Sequence, residues 1–273
     1  MIAPANNPFE LSLLLDAIFK KYHYDFRHYA EASLKRRVAA ALTHFGCATI
    51  SELQSRVLHQ PHIFNELLGF LTVQVSDLFR DPSYYKSIRE KVVPYLQTYP
   101  SLKVWVAGCA TGEEAYSLAI LFAEEGLLNR TLIYATDINP ASLRSAESGV
   151  YDLQRFARFS QSYMQAGGRA SLSDYYTANN SSVVLDRALR KAILFSDHSL
   201  ATDTAFAEVE LVSCRNVLIY FDTQLQDRAL GVMRDSLRRK GFLGLGQRES
   251  LRFSKHADAF SELVPEDRLY QRL

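Results

Sequence analysis

The chain has 273 residues, 48% of them hydrophobic, and a formal net charge of +1. That length allows one large domain or two small ones with a full core, and the balanced charge gives no bulk pull toward nucleic acid or an anionic membrane. Cys47, Cys109 and Cys214 are dispersed without a CxxC, which argues against a disulfide framework or a zinc site and for a reducing compartment.

The N-terminal MIAPANNPFELSLLLDAIFKKY lacks the basic n-region of a signal peptide, and no apolar run approaches a membrane span. A cytoplasmic protein with no membrane insertion is expected. Helical spacing of Phe9, Leu11, Leu14, Ile18 and Phe19 predicts a first helix. HYAEASLKRRVAAALTHFG predicts a second, stopped at Gly46. ISELQSRVL, capped by Thr49 or Ser51, and FNELLGFLTV follow. DPSYYKSIREKVVPYL reads as a further helix opened by Asp81 and Pro82.

After Pro100 the pattern changes. LKVWVAG, EEAYSLAILFAEEGLL, TLIYATDI and PASLRSAESGV alternate strand and helix, as a parallel sheet with crossover helices requires. RKAILFSDH and AEVELVSC predict two more core strands. TQLQDRALGVMRDSLRRK predicts an amphipathic helix ended by Gly241, with FLGLGQ and DRLYQRL as a closing strand pair. Residues 151–190 carry no firm pattern. The expected domains are an all-helical unit over 1–85 and an α/β unit over 86–273, with a short β-subdomain within 151–195.

VAGCATGEE lies where a sheet of this kind binds ligands, beyond the carboxyl end of a strand. Gly108 and Gly112 allow a tight turn and close backbone approach. Glu113 and Glu114 replace the Lys and hydroxyl of a nucleotide-binding loop and would repel phosphate, and the GxxxG spacing is not that of a dinucleotide site. S-adenosylmethionine (SAM) carries no phosphate and two cationic groups, so acidic residues attract it. Asp137, ending the next strand, is placed to hydrogen-bond ribose hydroxyls. Glu113 also suits a plain interaction with the helix dipole.

LTVQVSDLFRDP (71–82), VWVAGCATGEEAYSLAI (104–120) and SCRNVLIYFD (213–222) together resemble the CheR family, the chemotaxis protein-glutamate O-methyltransferases. The helical N-terminal region fits the family too. The resemblance implies a Rossmann-like SAM-dependent methyltransferase domain behind a small all-helical domain. It implies transfer of the SAM methyl group to glutamate γ-carboxylates on cytoplasmic helices of chemoreceptors, with S-adenosylhomocysteine (SAH) as product. It places Gln74, Ser76, Arg80, Gly108, Glu114, Asp137, Ser199, Leu200, Arg215 and Asn216 at the cofactor, with Tyr220 near the transferred methyl. Gln74, Ser76, Leu78 and Ser199 depart from the family's usual Asn, Thr, Phe and Asn.

The acceptor carboxylate is ionised at neutral pH, so no general base is assigned. Arg80 is the expected orienting group, with an ion pair to Asp77 or Asp81 as the plain alternative. Tyr220 is either catalytic or a packed aromatic. Positive charge concentrates over residues 20–37, and Lys35, Arg36 and Arg37 are expected to meet a Glu-rich receptor helix, unless Glu31 pairs with Lys35 at i,i+4. No metal is expected, and the state expected is a monomer. Two rival functions remain: a non-catalytic SAM- or SAH-binding module, and a methyltransferase for a different carboxylate.

Overall fold

The computed structural model describes residues 7–273. Residues 1–6, the start of the expected N-terminal unit, lie outside the described residues.

Four helices form the N-terminal unit: α1 (Pro8–Tyr22), α2 (Glu31–Phe45), α3 (Ile50–His59) and α4 (Pro61–Leu71). Asn7 caps α1 by accepting from the Phe9 and Glu10 amides, and Thr49 caps α3 by accepting from Glu52. Gly46, at φ +63°, ends α2 in the left-handed region that favours glycine. Leu14, Ile18, Leu34, Val38, Leu53 and Leu67 close a core of their own.

The next helix has three parts: α5 (Pro82–Ser87), a π-helical turn (Ile88–Val92) and α6 (Val93–Leu96). Pro94 removes one amide donor and crowds the carbonyl four residues back, which accounts for the widened turn before it. Asp81 stands at the N-cap but makes no capping bond. Its carboxylate turns to Arg215 instead.

The main sheet has seven strands: β1 (Leu102–Ala107), β2 (Thr131–Asp137), β6 (Ile193–Asp197), β7 (Val209–Cys214), β8 (Leu237–Leu245), β9 (Phe260–Val264) and β10 (Leu269–Arg272). Their order is β6-β2-β1-β7-β8-β10-β9. β6, β2, β1, β7 and β8 run parallel, while β10 is antiparallel to both its neighbours. Helix α7 (Glu113–Glu124) is buried from Glu113 to Phe122, which fits a helix with apolar residues all round. Helices α8 (Pro140–Ser148) and α11 (Thr223–Ser236) complete the layers.

One expectation shifts. Helix α11 stops at Ser236 rather than running to Gly241, and LRRKG opens β8 across a register irregularity. The pairing of Val209 with Leu237 captures this segment for the sheet. After β7, RNVLIYF forms a turn with a 3-10 segment at Leu218–Tyr220.

Residues 150–191 fold as a small lobe. β3 (Val150–Asp152), β5 (Ser182–Leu185) and β4 (Tyr176–Ala178) form an antiparallel sheet in the order β3-β5-β4, with α9 (Leu153–Gln165) and α10 (Arg187–Lys191) beside it. KAILFS belongs to β6 in the main sheet rather than to this lobe. Among the described residues, no helix is long and apolar enough to cross a membrane.

Candidate active site

A cavity opens at the carboxyl ends of β1, β2 and β7, where the parallel strands hand over to their loops. The α4–α5 linker closes one side. Tyr29 and Arg37 of the helical unit close another.

β1 ends in the glycine turn. Gly108 takes φ +73°, and a Cβ there would stand 2.5 Å from Val217 Cγ2, so only glycine lets the two loops meet. Asp137 ends β2. Its Oδ2 accepts the Ala110 amide at 2.8 Å and its Oδ1 the Asn139 amide at 2.9 Å, which ties the glycine turn to the β2 loop. Burial raises its pKa above the usual carboxylate value, opposed by these backbone N–H groups.

Glu114 sits in the first turn of α7. Its Oε1 accepts the Ser213 hydroxyl at 2.6 Å, and its Oε2 lies 3.7 Å from Arg215 Nη1. Burial raises its pKa, and Arg215 opposes the rise. Glu113, fully buried, points the other way. It meets the Thr111 hydroxyl at 2.7 Å and Arg155 Nη2 at 2.7 Å. Arg155, from α9, also reaches the Ser76 carbonyl and, at 3.5 Å, Asp77. One side chain of the small lobe thus joins the linker to the glycine turn.

Arg215 stands at the end of β7, buried between Glu114, Asp81 and the Tyr84 and Tyr85 rings, with its guanidinium carbon 4.2 Å from the Tyr84 centroid. Burial alone would lower its pKa, but Glu114, with Tyr85, Tyr84 and Asp81, raises it overall. Asn216 follows at φ +60°. Its amide and that of Gly246 both donate to the buried carboxylate of Glu249, at 3.0 and 2.6 Å.

Of the expected residues, Ser76, Arg80, Gly108, Glu114, Asp137, Leu200, Arg215, Asn216, Tyr220 and Arg37 line this one cavity. Gln74 and Ser199 do not. The Gln74 amide donates to the Gly69 carbonyl, and Ser199 accepts from the Ala201 and Thr202 amides in its own turn. Arg80 pairs with neither Asp77 nor Asp81. Asp77 faces Arg155 and Asp81 faces Arg215, which leaves the Arg80 guanidinium at the exposed rim.

The positive segment over residues 20–37 does not form one basic face. Lys35 pairs with Glu31 at 2.6 Å, Arg27 pairs with Asp25 at 2.8 Å, and Lys21 caps the Leu58 carbonyl. Arg37 turns inward, donating to the Leu71 carbonyl at 2.5 Å and stacking 4.7 Å over the Tyr220 ring. Lys35 and Arg36 lie outside the cavity.

Tyr29 lines the cavity, and Arg155 and Glu249 bond residues beside it; no sequence pattern marked these three. Tyr29 packs edge-on against Phe221, and Ala30 N donates to the Tyr220 carbonyl at 2.7 Å. His198 lines the cavity and bonds the Thr204 carbonyl through Nε2, and its buried Nδ1 has no partner among the described residues.

The seven-stranded sheet has one reversed strand and carries an acidic glycine turn at its carboxyl edge, and the chain is a SAM-dependent methyltransferase. The chain belongs to the CheR methyltransferase family: the CheR SAM binding domain matches residues 74–266, and the CheR all-alpha domain matches residues 10–72. It is 53% identical over 272 residues to a Pseudomonas putida protein named Cher3, covering 100% of both chains. It is 31% identical to the chemotaxis protein methyltransferase of Listeria innocua, over 83% of this chain and 84% of that one. A second Pseudomonas putida relative, chemotaxis protein methyltransferase Cher2, is 28% identical over 76% of this chain and 77% of its own.

Proposed function

We propose that this methyltransferase esterifies glutamate γ-carboxylates on the cytoplasmic helices of chemoreceptors, with the cavity residues above holding cofactor and acceptor. The observation that carries this reading is the division of charge in one cavity. The carboxylates of Glu114 and Asp137 lie toward the glycine turn, and the guanidiniums of Arg37 and Arg80 line the same cavity with Tyr220.

The donor set fits SAM. Gly108 leaves room for close backbone approach, and the two carboxylates suit a ligand with an ammonium and ribose hydroxyls. Asp137 would accept from the ribose hydroxyls, and Glu114 would neutralise the ammonium. When bound, SAM supplies an activated methyl group on a sulfonium that leaves as a neutral thioether.

The acceptor needs no proton removed, because its carboxylate is already ionised near neutral pH. A carboxylate oxygen forms the new O–CH₃ bond as the S–CH₃ bond breaks, and that electron pair stays on sulfur. Both formal charges vanish, so water, which solvates separated charges best, opposes the reaction. The chain's task is to orient the acceptor and exclude water. Arg80 would orient the carboxylate by paired N–H bonds. Arg37, held by the Leu71 carbonyl and the Tyr220 ring, would add charge without direct competition for the nucleophile. Tyr220 would fix the transfer point.

The test is methyl transfer from labelled SAM to a purified receptor cytoplasmic fragment. The expected product is an alkali-labile ester that releases methanol. Alkali-stable label would move the acceptor away from a carboxylate. Tight SAH binding without transfer would favour a cofactor-sensing module.

A further inference from the structure

The loop that follows β8 meets the turn bearing Tyr220. Glu249 accepts from the Gly246 amide at 2.6 Å, from Asn216 at 3.0 Å and from Ile219, the neighbour of Tyr220, at 3.3 Å. Leu251 is buried. Asp227 of α11 accepts the Ser254 hydroxyl at 2.8 Å and the Lys255 amide at 2.9 Å. The loop is therefore pinned at both ends and in the middle.

Its remaining side chains face outward. Arg248 and Arg252 are exposed, and neither guanidinium bonds or pairs with another group among the described residues. Phe253 is 87% exposed, and the Arg252 guanidinium lies 5.8 Å from its ring centre. The same Tyr220 turn meets the start of α2 through Ala30, and Arg36 of α2 is exposed with no ion pair among the described residues. Two elements that carry exposed arginines thus adjoin the one turn, whose Tyr220 lines the cavity.

Arginine and aromatic side chains are the types that carry interface energy, and a loop already fixed loses little entropy when a partner docks. A large ring held in water on a pinned loop has apolar area still to bury. Tyr220 lines the cavity, so a segment that presents a glutamate there extends on either side of this turn.

We propose that Arg248, Arg252 and Phe253 form a second docking element for the acceptor protein, working with α2 across the Tyr220 turn. Its occupant is an acidic helix with an apolar stripe. Carboxylates flanking the reacting glutamate meet the two guanidiniums, and an apolar residue three or four positions away covers Phe253. This rests on the protein-acceptor reading above.

The experiment measures binding of a Pseudomonas putida receptor cytoplasmic fragment to the SAH-loaded protein, and methylation of the same fragment, for wild type, R248E/R252E and F253A. The expected result is fragment binding weakened about tenfold or more by the double reversal and about threefold or more by F253A, with SAH affinity within about twofold of wild type. The salt dependence of fragment binding should also flatten in the double variant. Unchanged fragment binding and KM in both variants would overturn the docking element while leaving the methylation reading intact. A wild type that binds the fragment through these residues but transfers no methyl would overturn the methylation reading and leave the docking element standing. A wild type that does neither overturns both.

Discussion

The buried Arg215 guanidinium donates from Nη2 to the Arg80 carbonyl at 2.9 Å, so one arginine fixes the backbone that carries the other. The same nitrogen holds Asp81 at 2.7 Å. Phe79 and Asp81, on either side of Arg80, both take positive φ, at +52° and +55°. Such backbone costs about 1–3 kcal/mol per residue and persists only where the surroundings hold it. Arg215 and the Ser117 hydroxyl, which accepts the Phe79 amide at 2.8 Å, provide that hold.

Arg215→Lys therefore keeps a buried positive charge beside Glu114 but loses the forked grip on Arg80 and Asp81. The expected outcome is a folded protein with kcat lowered about tenfold or more and SAH affinity changed much less. Arg215→Ala strands two carboxylates and should cost about 3–5 kcal/mol of stability, read from the denaturant midpoint.

Asp137→Asn should weaken SAH binding about tenfold by calorimetry, because an amide keeps the size but replaces a charged acceptor. The pH dependence carries its own sign. Burial raises the pKa values of Asp137, Glu114, Glu113 and Glu249 in the folded state. In the window between their ordinary and raised values the native state binds more protons than the unfolded one. These four groups thus add stability as pH falls, and that share is lost as pH rises through their folded values. Wild-type SAH affinity should fall as pH drops through the raised folded-state values of Asp137 and Glu114. The acid limb of binding should shrink in Asp137→Asn.

The α2 arginines and lysine separate into two groups. Lys35, committed to Glu31 at a half-exposed site, should tolerate alanine with less than about a twofold change in KM for the receptor fragment. Arg37→Ala removes a guanidinium from the cavity and from the Tyr220 face, and should lower kcat/KM about tenfold or more. Equal losses in both variants would point to a shared outer face instead.

Arg155→Ala should loosen the α4–α5 linker from the glycine turn. Glu113 would keep only Thr111 and the Ser76 carbonyl would lose its donor. SAH affinity is expected to fall about fivefold or more, with Arg155→Lys restoring part of it. An unchanged affinity in Arg155→Ala would confine this side chain to stability, measurable as a lower midpoint alone.

The chain announces much of its fold. Alternation of strand and helix after Pro100 gives the parallel sheet, because period-2 and period-3.6 patterns are local and each buries one face. Gly46 and Thr49 end or start helices through bonds to near neighbours. Gly108, Glu114 and Asp137 are legible for the same reason, since each sits at a fixed offset from the end of its own strand or the start of its own helix. The end of α11 was not legible: LRRK suits a helix by propensity, and only pairing with β7 makes it strand.

The sequence by itself determined the helical unit, the parallel sheet, the acidic glycine turn and the motifs of the CheR family. Tertiary structure alone decided which charges are spent. The i,i+4 spacing marks Lys35 for Glu31, but nothing local turns Arg37 into the cavity two residues later. Nothing local sends Arg155 to Glu113 or Glu249 to the Asn216 turn. Those choices depend on contacts between residues far apart in the chain, where burial removes water and leaves each charge only the partners the fold brings to it.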